Sequence, residues 1–310
     1  MSSPKMPVSQ ALAWILVSTI LISGSCTVAW VSYSHVRTIR TINPTYNIVS
    51  IVQTGPEREA LKTVYLAQLM GLSVDCPTNL YNFRAEQAEK QLLSSPVITN
   101  ARVEKNYPGT IYIDYTARYP VASLYDYANT ALDDDGCIFP IKPFFTPKKL
   151  PEIYFGLPPF GLKVSKEGSN AANEPGGEWN VPLKGKKLQL ALSLLRLFSS
   201  PMYRDSFHVT RIDVSSAYLE SYGGRQIILT VEDRVFPMCE GKSVLYVYPR
   251  VLRLTTRHYL RELGNYLRLR GHLLVREEKI SSPPAEGKDV VLAAPMTIDF
   301  RVPQVAFIKY

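Results

Sequence analysis

Between Ala11 and Val31 the chain carries no charged residue and is almost wholly apolar, while the sequence after it has an ordinary globular balance. A run of this length matches the roughly 20 residues that an α-helix needs to cross the hydrocarbon core of a bilayer. The sequence therefore predicts a folded body tethered to a membrane by one span. A removable signal peptide calls instead for a shorter apolar core of about 7–15 residues ending at small residues. Here the hydrophobicity continues past Ser23-Gly24-Ser25 and ends beside Trp30 and Tyr33, residue types that settle at membrane–water interfaces. An uncleaved anchor over residues 11–33 is the expectation, with residues 1–10 as a tail and 34–44 as a linker. Cys26 after Ser-Gly-Ser invites a lipoprotein reading, but Ser23 stands where such sites usually carry an aliphatic residue. Positive-inside counting sets Lys5 and the terminal amine against Arg37 and Arg40, which taken alone mildly favours a cytosolic body.

Hydrophobic residues make up 46% of the chain and charged residues 20%, enough apolar material and length for two domains of usual size. The net charge of +8 suits an anionic partner. No aromatic-interleaved basic loop or zinc module accompanies it, so nucleic acid is not expected. Cys76, Cys137 and Cys239 lie in the body; three widely spaced cysteines are not a disulfide framework, and a single bridge among them stays open.

Period and breakers divide the body. Tyr46–Gly55 alternates as a strand, Glu57–Met70 and Arg84–Leu93 carry helical spacing, and Ile98–Lys105 and Thr110–Arg118 are strands joined by Asn106-Tyr107-Pro108-Gly109. Ile111, Ile113 and Tyr115 share one face of the last strand. Further strands are predicted at Tyr119–Tyr127, Ala131–Phe139, Val209–Ser215, Gln226–Val231 and from Met296 to the end, with helices over Leu183–Phe198 and Pro249–Arg270. The Gly/Asn/Ser/Glu-rich stretch 163–182 reads as a mobile loop.

Several motifs in this order carry a resemblance. They are Val52-Gln53-Thr54-Gly55, Asn79-Leu80-Tyr81-Asn82-Phe83, the stretch from Leu92 to Ser123 with Pro96, Ala101, Val103, Pro108, Thr110, Ile113 and Pro120-Val121-Ala122, then ALDDDGCIFP from Ala131, Leu150-Pro151-Glu152 and the terminal MTIDFRVPQVAFIKY. Together they resemble the FtsQ/DivIB family of bitopic bacterial cell-division proteins, and they cover nearly the whole chain. Lys105 and Arg118 depart mildly from the family pattern. The resemblance implies an α+β architecture: a transmembrane helix, a POTRA domain of β-α-α-β-β order over 45–119, then a β-rich domain with flanking helices over 120–310. It also implies a body outside the cytosol, at the division site of the inner membrane.

Catalytic and metal signals are sparse. His35, His208, His258 and His272 have no ligand-type residue at metal spacing, and Asp133-Asp134-Asp135-Gly136 lacks the downstream oxygen ligands of a calcium loop, so it reads as a solvated turn. No nucleophile motif or phosphate-cradling glycine loop occurs. No enzyme activity, cofactor or metal is expected. The most patterned charge is Arg250, Arg253, Arg257, Arg261 and Arg268, which on one helix would form a single basic stripe, either a solvated face or a surface for an anionic partner.

In the terminal strand Ile298, Phe300 and Val302 alternate with Asp299 and Arg301, and Pro303 marks an edge or bulge. Such an edge can accept a strand from another chain, or simply close its own sheet. The resemblance places there the docking site of small bitopic coiled-coil division proteins, FtsB/DivIC-like and FtsL-like. Arg301 corresponds to the family's docking arginine, with Asp299, Val302, Val305 and Phe307 around it, although Val302 replaces the family's neighbouring aromatic. Other division proteins would engage the POTRA domain. The implied role is a non-enzymatic divisome scaffold that couples its partners to septal peptidoglycan synthesis. The alternatives are an anchored cell-wall enzyme with an unrecognised site, or a POTRA-containing secretion or assembly factor.

Overall fold

A computed structural model describes residues 8–55, 59–162, 176–236, 238–239, 242–280 and 290–309. They form two compact units, the first reaching Thr116 and the second starting at Ala117, with Glu59 and Ala60 counted in the second.

In the first unit the apolar run lies within a longer helix, α1 (Val8–Ile42). Its segment Leu12–Ile42 is long and apolar enough to cross a membrane, with a mean hydropathy of 1.9 over an 18-residue window within it. The expected linker over 34–44 is therefore helical as far as Ile42. No proline or glycine interrupts residues 32–43. The hydroxyls of Ser34, Thr38 and Thr41 donate to carbonyls three or four residues back, so they do not pull the backbone out of the helix. The helix stops where Asn43 accepts the Thr45 N–H at 3.0 Å and Pro44 opens a 3-10 turn.

β1 (Ser50–Gln53), α2 (Thr63–Leu69), α3 (Ala85–Leu93), β2 (Ile98–Asn106) and β3 (Thr110–Ala117) follow in the expected strand, helix, helix, strand, strand order. β3 lies between β1 and β2, parallel to β1 with Ser50 opposite Thr110 and Gln53 opposite Ile113. Ile111, Ile113 and Tyr115 are buried on one face of β3, and Leu66 of α2 with Ala88 and Leu92 of α3 are the buried helical positions. α2 starts six residues later than the expected Glu57, because Leu61 is buried and its N–H donates to Tyr115 Oη at 2.7 Å, which holds the chain extended there. That hydroxyl in turn donates to Gln53 Oε1 at 2.8 Å. A side chain at position 55 would bring its Cβ within 2.9 Å of the same ring, which explains the glycine after the first strand.

The second unit is built on a ten-stranded mixed sheet. In chain order its elements begin with β4 (Ala122–Leu124), β5 (Thr130–Leu132), β6 (Ile138–Pro140), β7 (Glu152–Tyr154), α4 (Lys186–Ser199), α5 (Pro201–Arg204), β8 (His208–Asp213) and β9 (Ile227–Val235). After the separate pair β10 (Met238–Cys239) and β11 (Lys242–Ser243) come β12 (Leu245–Leu254), α6 (Tyr259–Ile280), β13 (Val290–Leu292), β14 (Met296–Asp299) and β15 (Phe307–Lys309). Across the sheet the order is β15, β14, β12, β9, β8, β7, β4, β5, β6, with β13 also on β12. Leu188, Ala191, Leu194 and Phe198 of α4, and Leu263, Tyr266 and Leu273 of α6, join Ile153, Ile212, Leu229, Leu252 and Ile298 in one core.

Two expectations are corrected in this unit, and a third falls mostly outside the described residues. The strand over Ala131–Phe139 is a hairpin, since Asp133 Oδ1 accepts the N–H groups of Asp135 and Cys137 and Gly136 adopts φ 84°. Of the stretch 163–182, residues 163–175 lie outside the described residues. In the remainder, Gly177 N–H donates to Tyr127 Oη at 2.9 Å, and the Trp179 ring lies 4.7 Å from that of Phe160, tilted by 52°. The helix over Pro249–Arg270 is strand β12 followed by α6. β12 runs antiparallel on β9 from Tyr246 opposite Val235 to Leu254 opposite Ile227. Pro249 falls where pairing on the other side passes from β13, ending at Val247, to β14, starting at Arg250, so its missing N–H interrupts no continuous ladder there.

Candidate functional site

The C-terminal strand is two strands. β14 sits inside the sheet, parallel to β12, while β15 turns back antiparallel on β14 with Ile298 opposite Ile308. Between them Val305 N–H donates to Val302 O at 3.3 Å across Pro303 and Gln304, and Gln304 takes φ 64°. Proline at the second position and positive φ at the third are the marks of a type II turn. The open edge of the sheet at this end is therefore β15, with every residue exposed. Phe307 is 57% exposed, and Val302 and Val305 beside it are exposed as well.

Arg301 is engaged inside its own chain. Its Nε and Nη2 donate to Asp299 Oδ1 and Oδ2 at 3.0 and 2.8 Å, and its Nη1 donates to Gly223 O at 3.1 Å. Arg253 Nη1 lies 3.2 Å from the same carboxylate and its Nε and Nη2 donate to Gln226 Oε1. Partial burial works against the charged form of Asp299, but the hydrogen bonds from Arg301 and the charges of Arg301 and Arg253 outweigh it and hold the carboxyl below its ordinary value. The bond to Asp299 in turn raises the Arg301 pKa. This cluster fastens the turn that presents β15.

The arginine stripe does not exist as one surface. Arg250 and Arg253 lie on β12, Arg257 precedes α6, and only Arg261 and Arg268 share the exposed side of that helix. Arg250 is fully buried. Its guanidinium donates through Nη1 and Nη2 to Glu277, and its Nε lies 3.6 Å from Asp233 Oδ2 without a hydrogen-bond partner. Asp233, buried at the inward end of β9, accepts from Tyr266 Oη at 2.8 Å and Arg270 Nε at 2.6 Å. Burial and the neighbouring carboxylate push the Tyr266 hydroxyl far above its usual pKa, so it stays a donor. Tyr266, Arg270 and Glu277, spaced by four and seven, fall on one side of α6, the spacing that places them over β9 and β12. Sequence reading missed this cluster; the visible signal was Asp233 at the fourth inward position after Ile227, Leu229 and Val231.

Asp133 is buried and pairs with Arg118 at 2.8 Å, so it closes a turn. Among the described residues no three or more of His, Cys, Asp and Glu are placed to hold a metal ion. Cys26, Cys76 and Cys137 are free thiols.

Residues 57–115 match the family profile of the POTRA domain, FtsQ-type. The match runs from just after β1 through most of β3. No curated protein sequence matches the chain.

Proposed function

We propose, from an FtsQ-type POTRA domain set behind one long apolar helix, the order of the FtsQ/DivIB family, that this protein is a non-enzymatic scaffold of the bacterial division machinery. The POTRA match carries the reading, and the helix supports it. The run Ala11–Val31 covers about 30 Å at ~1.5 Å per residue, the thickness of a bilayer's hydrocarbon core. α1 is then a single span, with residues 1–10 in the cytosol and the POTRA and β domains outside.

The role that follows is positional: partners are gathered at the septal membrane and coupled to peptidoglycan synthesis. A small bitopic coiled-coil partner, FtsB/DivIC-like or FtsL-like, would add a strand to β15. Main-chain bonds would supply affinity, and Val305 and Phe307 its apolar contacts. Asp299 and Arg301 would act by holding the turn, since their charges already satisfy each other. The POTRA domain would receive other division proteins.

Depletion tests the proposal. Cells losing the protein should stop septating while they continue to grow, and a fluorescent fusion should collect at the division site. Normal division after depletion overturns the scaffold role.

A further inference from the structure

Beside the end of α1 the first unit opens a cavity of about 770 Å³ that faces solvent. This is the size of an ordinary small-ligand site. Its polar lining is one-sided: Arg37 from α1, Arg84 and Lys90 from α3 and its approach, and Lys105 from β2 stand against the single carboxylate of Glu86. None of the four cations is paired with a carboxylate among the described residues. Burial lowers the pKa of Lys105, whose ammonium lies over the Phe83 ring at 6.0 Å. A desolvated cation without a counter-charge is stabilised by any anion that enters. Tyr81 and Phe83 give the same cavity an apolar wall.

Its height above the membrane follows from the helix. Arg37 lies six residues beyond Val31, hence about 9 Å further along the axis. The headgroup layer is roughly 5–8 Å thick on each side of the hydrocarbon, so an arginine side chain at this level reaches into it. The attachment of α1 to the domain is fixed as well. Asn79 Nδ2 donates to Arg40 O at 3.0 Å and Asn43 O at 3.1 Å, and the Arg40 guanidinium lies over the Tyr81 ring at 5.6 Å.

We propose that this cavity binds the headgroup of an anionic phospholipid, of the phosphatidylglycerol kind, from the leaflet out of which α1 emerges. The inference rests on α1 being a membrane span and is independent of the direction in which it crosses. The four cations would grip the phosphate, and the Tyr81–Phe83 wall would face the glycerol and the start of the acyl chains. Bound lipid would fix the level of the POTRA domain against the bilayer.

The full chain, reconstituted in nanodiscs of phosphatidylcholine with a minority of phosphatidylglycerol, tests this. Native mass spectrometry after delipidation should find phosphatidylglycerol retained in preference to phosphatidylcholine. Arg37→Gln, Arg84→Gln, Lys90→Gln and Lys105→Gln should each reduce that preference about fivefold. Arg102→Gln should leave it unchanged, since Arg102 lies outside the cavity and pairs with Glu104 at 2.7 Å. Circular dichroism confirms that each variant is folded. A chain that resists alkaline carbonate extraction yet retains both lipids equally, or loses its preference with Arg102→Gln, overturns the lipid site alone. Retention abolished by millimolar inorganic phosphate would assign the cavity to free phosphate and overturn it too. A chain released by carbonate overturns the span and the lipid site together.

Discussion

Asp233→Asn is the sharpest test of how the second unit is held together. The substitution keeps the shape of a side chain that is fully buried and removes its charge. Four formal charges meet here, Asp233 and Glu277 against Arg250 and Arg270, and they balance. After the change Arg250, itself fully buried, keeps only Glu277, and Arg270 loses the carboxylate 2.6 Å away. Breaking a buried ion pair by removing one partner costs about 3–5 kcal/mol. With a urea m-value of ~2 kcal/mol/M for a domain of this size, the unfolding midpoint should fall by about 1.5–2.5 M. Tyr266→Phe removes one hydrogen bond to the same carboxylate and should cost less, about 1.5–3 kcal/mol.

The readout can be confined to this unit. Of the three tryptophans, Trp14 and Trp30 lie on α1 and Trp179 in the second unit, so residues 45–310 expressed without the helix carry Trp179 alone. Its fluorescence in urea then follows the second unit. Replacing both members by apolar residues, Asp233→Leu with Arg250→Met, should cost clearly less than the two single changes summed, because neither buried charge is left exposed to the other's absence. An Asp233→Asn midpoint within about 0.3 M of wild type, or strict additivity in the double variant, would refute the account of this cluster as a mutually compensating group.

Two further outcomes concern the C-terminal edge. In calorimetry with the extracytoplasmic segment of a coiled-coil partner of the proposed kind, deletion of Ala306–Tyr310 should abolish binding to residues 45–310 and Phe307→Ser should weaken it at least tenfold, as loss of a central aromatic anchor does; unchanged affinity in both moves the interface elsewhere. The second outcome is a pH profile. The folded pKa of Asp299 is held below the unfolded value of about 3.9, so its contribution is fully present above the unfolded pKa and is lost as pH falls through the folded one. The difference in melting temperature between wild type and Asp299→Asn should therefore be constant from pH 7 down to about 5 and close in stronger acid; a gap that widens in acid contradicts the sign.

The first unit was legible because its pattern and its packing agree. Ile111, Ile113 and Tyr115 alternate in sequence and are buried in alternation, and Pro96 separates the helical from the strand period where α3 gives way to β2. The terminal turn was harder to see. Pro303 announced a break, but the position that takes φ 64° is Gln304, where glycine or asparagine would have signalled a type II turn.

The region from Leu245 to Arg270 misled for a different reason. Arginines at 250, 253, 257 and 261 fit a helical period, and Tyr246, Tyr248, Leu252 and Leu254 fit a period of two; a charged residue ordinarily faces solvent, which favours the helical period. That assignment fails when a charge is buried with its counter-charges, and those lie at Asp233 and Glu277, 17 residues before and 27 after Arg250. No local window contains all three. Counting Arg250 as an inward residue restores an unbroken alternation from Tyr248 to Leu254, and the same step makes Asp233 the inward continuation of Ile227, Leu229 and Val231. The two strands that carry these charges are direct neighbours, with Tyr248 opposite Asp233 and Arg250 opposite Val231. A buried pair of opposite charges on adjacent strands helps to fix register: a two-residue slip that set Arg250 opposite Leu229 would keep every apolar side chain inward yet part the arginine from the carboxylate.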